Sequence, residues 1–385
     1  MTPRAPIGGR CEPAYDVVRR AFVENFGERG EHGAAVCLVV DHRVVCDLWG
    51  GWRDADRTVP WGPDTLVNVF SVGKGIAAAC VARLVGLGLL DPAAPVVTYW
   101  PEFGASGKRA VTVAEVLSHQ AGLPAVGPRL APGAMLDHDV MAAALAAQPP
   151  WWPPGTAHGY HVNTWGFLVG EIVRRVTGRT LGGVLRDDVA GPLGADVHLG
   201  LPDDEHGRVA EFLWPFDPPP EQEPDGLRDG PSADLMQHNT YWNPAGLSGA
   251  GVVNKAGWRR AEIPSTNTHA SARGVARVYE LLAGGGVLDG RRVVDAAALT
   301  SATRPVVDGD DLVLGRPSRF GLGFQLPQPE RPLGPNPGAF GHFGAGGSLG
   351  FCDPEAGVAF GYVMNRLGPR WQNPLNRALL DAIYT

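Results

Sequence analysis

Apolar residues recur along the chain at two periods, and their order predicts a helix, a hairpin, a run of helices and then strands. Residues 15–28 carry Val17, Val18, Ala21, Phe22 and Phe26 at helical spacing. Residues 34–40 and 43–48 are β-branched runs parted by Asp41 and His42, which predicts a hairpin. Residues 71–90 are rich in Ala, Leu and Val and stop at Asp91 and Pro92, so a buried helix should begin at or near Ser71. Thr112 with Glu115 makes a capping-box signature for a short helix through His119, stopped by Gly122 and Pro124. Further helices are expected over 164–176, closed by Gly178, over 271–283, closed by Gly284–Gly286, and over 374–384. Residues 320–326, 348–352 and 358–364 read as strands.

Between Leu201 and Pro264 the pattern dissolves, with residues 215–224 rich in proline and acidic side chains. That stretch reads as a long irregular segment covering a site, or as an ordinary surface loop. Strands near both termini with helices inserted between them predict an α+β fold. Its sheet subdomain is expected from 1–70 and 260–385, and its mainly helical subdomain from 71–259, with the site where they meet.

A chain of 385 residues with 44% hydrophobic content buries a large core and exceeds the size at which single cores stop growing. The net charge of −7 gives no basic footprint, so nucleic acid and anionic membrane are not expected partners, and a small neutral acyl substrate fits better. Met1–Arg10 lacks an apolar core and no run of about 18 apolar residues exists, so a soluble, cytoplasmic protein is expected. Oligomeric state is left open. Five scattered cysteines, Cys11, Cys37, Cys46, Cys80 and Cys352, read as reduced core residues and not as a disulfide framework. With no HExxH, no paired CxxC and only the close pair His158 and His161, neither a metal nor another cofactor is expected.

Three elements carry candidate chemistry. Ser71 and Lys74 stand three apart on one helix face, and the helix start adds N–H groups that favour an alkoxide and supply half of an oxyanion hole. The ordinary alternative is an N-cap serine followed by a surface lysine. It is weakened because only three of the 33 lysines and arginines are lysine, and a buried amine can release a proton where guanidinium cannot. Tyr160 lies on a Gly-containing loop just before a helix; its phenol can serve as a base if a cation such as Lys74 lowers its pKa, or it simply packs. Residues 341–347 are a Gly-rich approach to a strand that lets a ligand near backbone N–H groups, or a plain bend. Gly346–Gly350 also matches the G-x-S-x-G elbow around Ser348. A strand follows it, though, and His342, the last histidine, precedes it, so that motif is set aside.

With Ser-x-x-Lys, a tyrosine motif and a Gly-rich strand in this order, the chain resembles the class C β-lactamase-like family of esterases, transacylases, D-aminopeptidases and penicillin-binding relatives. The likeness runs from about Tyr15 to Arg366 and includes LSHQAGLP at 117–124 and FGLGF at 320–324. It implies an antiparallel sheet flanked by helices, with Ser71 as the acylated nucleophile, Lys74 as its proton partner and Tyr160 as general base or acid. It also implies an oxyanion hole from the N–H groups of Ser71 and Ala345, with His342 and Gly344 in the substrate-binding strand. Two departures matter. Val162 stands where lactam-binding members have asparagine, with Asn163 one later, and His342 replaces the lysine that holds a substrate carboxylate.

An esterase working through acyl-Ser71 is therefore expected, with transfer of the acyl group to an amine or alcohol as the alternative. A β-lactamase, a D-aminopeptidase or a non-catalytic assembly protein fits less well. Trp152 and Trp242, with Trp151, Tyr241 and Trp258, suggest an aromatic-lined acyl pocket, or serve as ordinary core and loop anchors.

Overall fold

The computed structural model describes residues 5–215 and 233–385. Its sheet has six strands: β1 (Ile7–Cys11), β2 (Gly33–Val40), β3 (Arg43–Gly51), β4 (Phe340–Phe343), β5 (Leu349–Asp353) and β6 (Val358–Met364). They lie in the order β1-β3-β2-β6-β5-β4, and every neighbouring pair is antiparallel. The seam between the chain's two ends is the pairing of β2 with β6, where Val36 faces Tyr362. Both strands are buried almost throughout because helices cover both faces, which is why they read as continuous apolar runs.

The helices used below are α1 (Asp16–Glu28), α2 (Val72–Gly86), α3 (Val113–Leu117), α4 (His138–Ala147), α5 (Thr164–Thr177), α6 (Ala233–Trp242), α7 (Ala272–Ala283) and α8 (Pro374–Ile383). Side chains alternate across a strand, so Trp49 and Gly50 mark opposite faces of the sheet. The Trp49 ring lies under Arg273 of α7, while a Cβ at Gly50 would meet Phe26 of α1. Thus α7 packs on one face, and α1 with α8 on the other. The α7 face is closely packed: a Cβ on Gly361 would lie 2.3 Å from the Ala272 carbonyl oxygen.

Helix α2 runs through the middle of the molecule, and Val72 to Ala82 are all buried, as its apolar surface all round requires. Two glycines set its depth. A Cβ at Gly73 would fall 2.3 Å from Thr268 Oγ1, and one at Gly75 would fall 2.1 Å from Tyr279 Oη. The capping box at α3 is present in full, with Thr112 accepting from the Glu115 N–H and Glu115 accepting from the Thr112 N–H. One apolar core includes Phe22, Val36, Ile76, Trp165, Tyr362 and Leu379 and crosses the expected subdomain boundary near residue 260 without a break.

The structure corrects several expected elements. The long helix from Ser71 ends at Gly86, before Gly88 turns left-handed (φ +70°), and the short one stops at Leu117, before left-handed His119 (φ +66°). Residues 320–326 are not a strand. Arg316–Phe320 instead pairs with Val307–Asp311 as a hairpin, and the chain reverses through Gly323 (φ +88°). Edge strand β1 and helix α4, N-capped by Asp137, were not expected. The stretch 201–264 is less irregular than its composition suggests, holding α6, Ala256–Arg260 and a 3-10 segment Asp203–Arg208. Residues 216–224 of its proline-rich part lie outside the described residues.

The close approach of α7 to β6 predicts that Gly361→Ala destabilises the protein by about 1–3 kcal/mol through overpacking. Gly27→Ala, on the exposed side of α1 with open space around it, should stabilise by up to ~1 kcal/mol. Urea unfolding of both variants beside wild type measures the difference.

Candidate active site

Ser71 stands immediately before α2, and its position depends on the residue before it. Phe70 has φ +48°, a left-handed conformation that costs a bulky residue on the order of 1–3 kcal/mol. Its ring is held edge-on to Phe212 at 4.8 Å. Ser71 is 8% exposed, so little more than its reactive edge is accessible, and Lys74 is fully buried one turn along. Lys74 Nζ lies 3.2 Å from Ser71 Oγ, 2.6 Å from the Val162 carbonyl oxygen and 3.2 Å from the Ser265 carbonyl oxygen. None of these neighbours is anionic. Burial therefore pushes the amine well below its usual pKa and favours the neutral, proton-accepting form. At position 162, where lactam-binding members carry asparagine, the backbone of Val162 makes the contact. Asn163 is buried and engaged with Thr240, Ser248 and Thr266.

Tyr160 reaches the same point from a loop fixed by a distant residue. Its N–H donates to Asp311 at 2.9 and 3.1 Å, and Asp311 also accepts from the Val313 and Leu314 N–H groups and the Ser318 hydroxyl. The tyrosine ring stacks on Phe320 at 5.6 Å with 5° between planes. His119 and Trp371 meet it edge-on at 4.9 and 5.0 Å, and Lys74 Nζ lies 4.8 Å from its centroid. Among the described residues the phenol hydroxyl has no hydrogen-bond partner of good geometry, although the Ser71 hydroxyl lies close enough to favour the phenolate. Burial outweighs that and pushes its pKa up. A phenol lowered toward neutrality by Lys74 is thus not what forms: the resting site holds a neutral phenol beside a weakly basic amine.

The end of β4 lies against the turn that carries Ser71, since a Cβ on Gly344 would fall 2.4 Å from the Val69 carbonyl oxygen. Gly344 itself donates to the Ser348 carbonyl oxygen, so its role here is close approach of two backbones. Among the described residues, no turn or side-chain acceptor engages the N–H of Ser71 or of Ala345. His342 is fully buried: Nδ1–H donates to the Phe343 carbonyl oxygen at 2.7 Å, and Nε2 has no partner. Burial pushes its pKa down to about 3, so it is a neutral imidazole. Ser348 leads into strand β5 with its hydroxyl buried and unpartnered, which is not the strand-to-helix geometry of a nucleophile elbow.

Among the described residues, neither Trp152 nor Trp242 has a ring contact with Tyr160. Trp152 donates to the Ala157 carbonyl oxygen and packs with Met236 and Val313, edge-on to His161. Trp242 ends α6. The aromatic wall comes from Phe320, His119 and Trp371. Phe320 and His119 lie in the two stretches that carried the family likeness. Asp311, in an acidic run typical of solvated loops, and Trp371 gave no signal. Among the described residues, no three His, Cys, Asp or Glu side chains converge as metal ligands, and no helix is long and apolar enough to cross a membrane.

The likeness to known proteins extends over nearly the whole chain. Residues 18–384 match the family model described as Beta-lactamase. Esterase/beta-lactamase LipL of Mycobacterium tuberculosis is 38% identical over 373 residues, 94% of this chain and 83% of that protein. A family VIII carboxylesterase of known structure superposes with a TM-score of 0.89 at 41% identity, with 98% of each chain covered. A penicillin-binding protein homologue from Caulobacter crescentus also gives 0.89, at 42% identity over 98% of this chain and 99% of that one.

Burial of Lys74 predicts a pH effect on stability. Between its depressed folded pKa and the ordinary value of 10.5, the unfolded chain holds a proton that the folded chain does not, so stability rises with pH across that window. Lys74→Met lacks this dependence. In thermal melts from pH 7 to 10, wild type should gain on the variant as pH rises; a constant gap would mean that the amine titrates alike in both states.

Proposed function

Because the chain belongs to the Beta-lactamase family of serine hydrolases, we propose that it hydrolyses carboxylic esters of small molecules through an acyl-Ser71 intermediate. The observation that carries this reading is the 3.2 Å contact between Ser71 Oγ and a buried lysine amine that has no counter-ion among the described residues. Ser71 Oγ attacks the ester carbonyl as its proton passes to Lys74 Nζ. The N–H groups of Ser71 and Ala345 stabilise the oxyanion, and the departing alkoxide takes a proton delivered by way of the Tyr160 phenol. A water then attacks the acyl-serine, giving its proton back through the same pair and releasing the acid.

Two features favour esters over lactams that carry a carboxylate at the β4 position. His342 is neutral where a cation would be needed, and Val162 offers no side-chain amide. The compared relatives include an esterase/beta-lactamase and a carboxylesterase, and both fit hydrolysis without favouring transfer to another acceptor.

Short-chain p-nitrophenyl esters should be hydrolysed with a burst as the acyl-enzyme accumulates, and intact mass should show one acyl group on Ser71. Ser71→Ala should abolish both, and Ser348→Ala should retain most activity. Loss of turnover in a folded Ser348→Ala enzyme would move the nucleophile there.

Tyr160→Phe keeps the ring and should lower the rate by about 10²- to 10⁴-fold, the usual contribution of a positioned acid–base group. Lys74→Arg should be nearly as inactive as Lys74→Ala, since guanidinium keeps the charge but releases no proton. A wild-type rate in either variant removes that residue from proton transfer.

A further inference from the structure

Next to Tyr160 the surface opens into a cavity of about 550 Å³ whose charge differs from that of the whole protein. Four arginines, Arg316, Arg331, Arg370 and Arg377, line it against one carboxylate, Glu330, in a chain of net charge −7. The cavity and the catalytic centre share a wall. Trp371 meets the Tyr160 ring edge-on at 5.0 Å, and the Arg316 guanidinium lies 5.0 Å over the other ring system of that contact, Trp371 itself. Leu314, also lining the cavity, packs in the cluster around Tyr160.

Elsewhere the protein pairs its arginines with carboxylates: Arg174 and Arg175 with Glu171, Arg208 with Asp196, Arg277 with Glu280. These four make no such pair among the described residues. Arg331 donates to the Pro317 carbonyl oxygen and to Gln328, and its Nε is buried without a partner. Burial pushes the pKa of Arg316 and of Arg331 down; Asp311 acts against this at Arg316 while Arg370 adds to it, and at Arg331 Arg316 adds to it while Glu330 acts against it, and both guanidiniums stay charged. Four positive charges gathered against one lining carboxylate, beside the wall of a reactive site, concentrate an anionic ligand there, and guanidinium suits a carboxylate in two-point contact.

Resting on the ester-hydrolase reading, we propose that this cavity binds a carboxylate carried by the substrate, so that the preferred esters are anionic. The two ring contacts between Tyr160 and Arg316 place that carboxylate several bonds from the scissile carbonyl. This differs from the expectation of a neutral substrate drawn from net charge, because a ligand responds to the local potential and not to the sum.

The test compares matched pairs. On the acyl side, mono-p-nitrophenyl adipate is set against p-nitrophenyl hexanoate; on the alcohol side, 3-(4-acetoxyphenyl)propanoate is set against its primary amide. In at least one pair the anionic ester should have a kcat/KM about tenfold or more above its neutral partner at low salt, and the ratio should fall as salt screens the charges. Which pair responds tells whether the carboxylate sits on the acid or the alcohol half. Arg370→Gln removes an exposed charge and should reduce the ratio, and Arg316→Gln with Arg370→Gln should bring it close to one. Ratios that stay below about tenfold in both pairs, or a ratio unchanged in the Arg370→Gln enzyme, overturn the inference while neutral-ester turnover leaves the hydrolase reading standing. No turnover of any of the four esters, with no acyl group on Ser71, overturns both.

Discussion

The site depends on one buried amine that meets no counter-ion among the described residues. Lys74 sits on a helix that is apolar on every side, and its neighbours are a hydroxyl and two peptide carbonyls. A carboxylate in that place would keep the lysine protonated and unable to accept the Ser71 proton. Carbonyl oxygens orient the amine without fixing its charge. The cost is that an unpaired ammonium is excluded from the folded interior, so the packing around α2 must be secured elsewhere. It is secured by Gly73 and Gly75, which let the helix sit directly against Thr268 and Tyr279.

Tyr160 solves a related problem with different parts. Asp311 clamps its backbone N–H, which fixes the loop while leaving the phenol hydroxyl free of a committed partner. Phe320, His119 and Trp371 confine the ring. The tyrosine is thereby positioned by its backbone and its ring faces, and the one polar atom left over points to the chemistry.

The same separation of local field from total charge bears on substrate choice. The β4 side of the site offers a neutral imidazole at His342, while positive charge is gathered on the far side of Trp371. His342 and Trp371 are separate neighbours of the Tyr160 ring, at 6.0 and 5.0 Å between centroids, so a relative that binds a carboxylate at β4 and this chain need not accept the same molecules.

What the sequence determined by itself was whatever depends on neighbours a few residues apart. The Ser71–Lys74 pair is one helical turn, the α3 capping box spans three residues, the β2–β3 hairpin closes over two, and the apolar periods marked α1, α5, α7 and α8. The family likeness extended this to the antiparallel sheet and to Tyr160, whose motif has no local physical signature. The tertiary structure alone decided the rest. Asp311 reaches Tyr160 across 151 residues, Trp371 arrives from the chain just before α8, and the four cavity arginines are scattered from 316 to 377, each ordinary in its own segment. The protonation states belong to this group too. Burial is a property of the packed molecule, so no spacing of residues reveals that the lysine is pushed down and the tyrosine up.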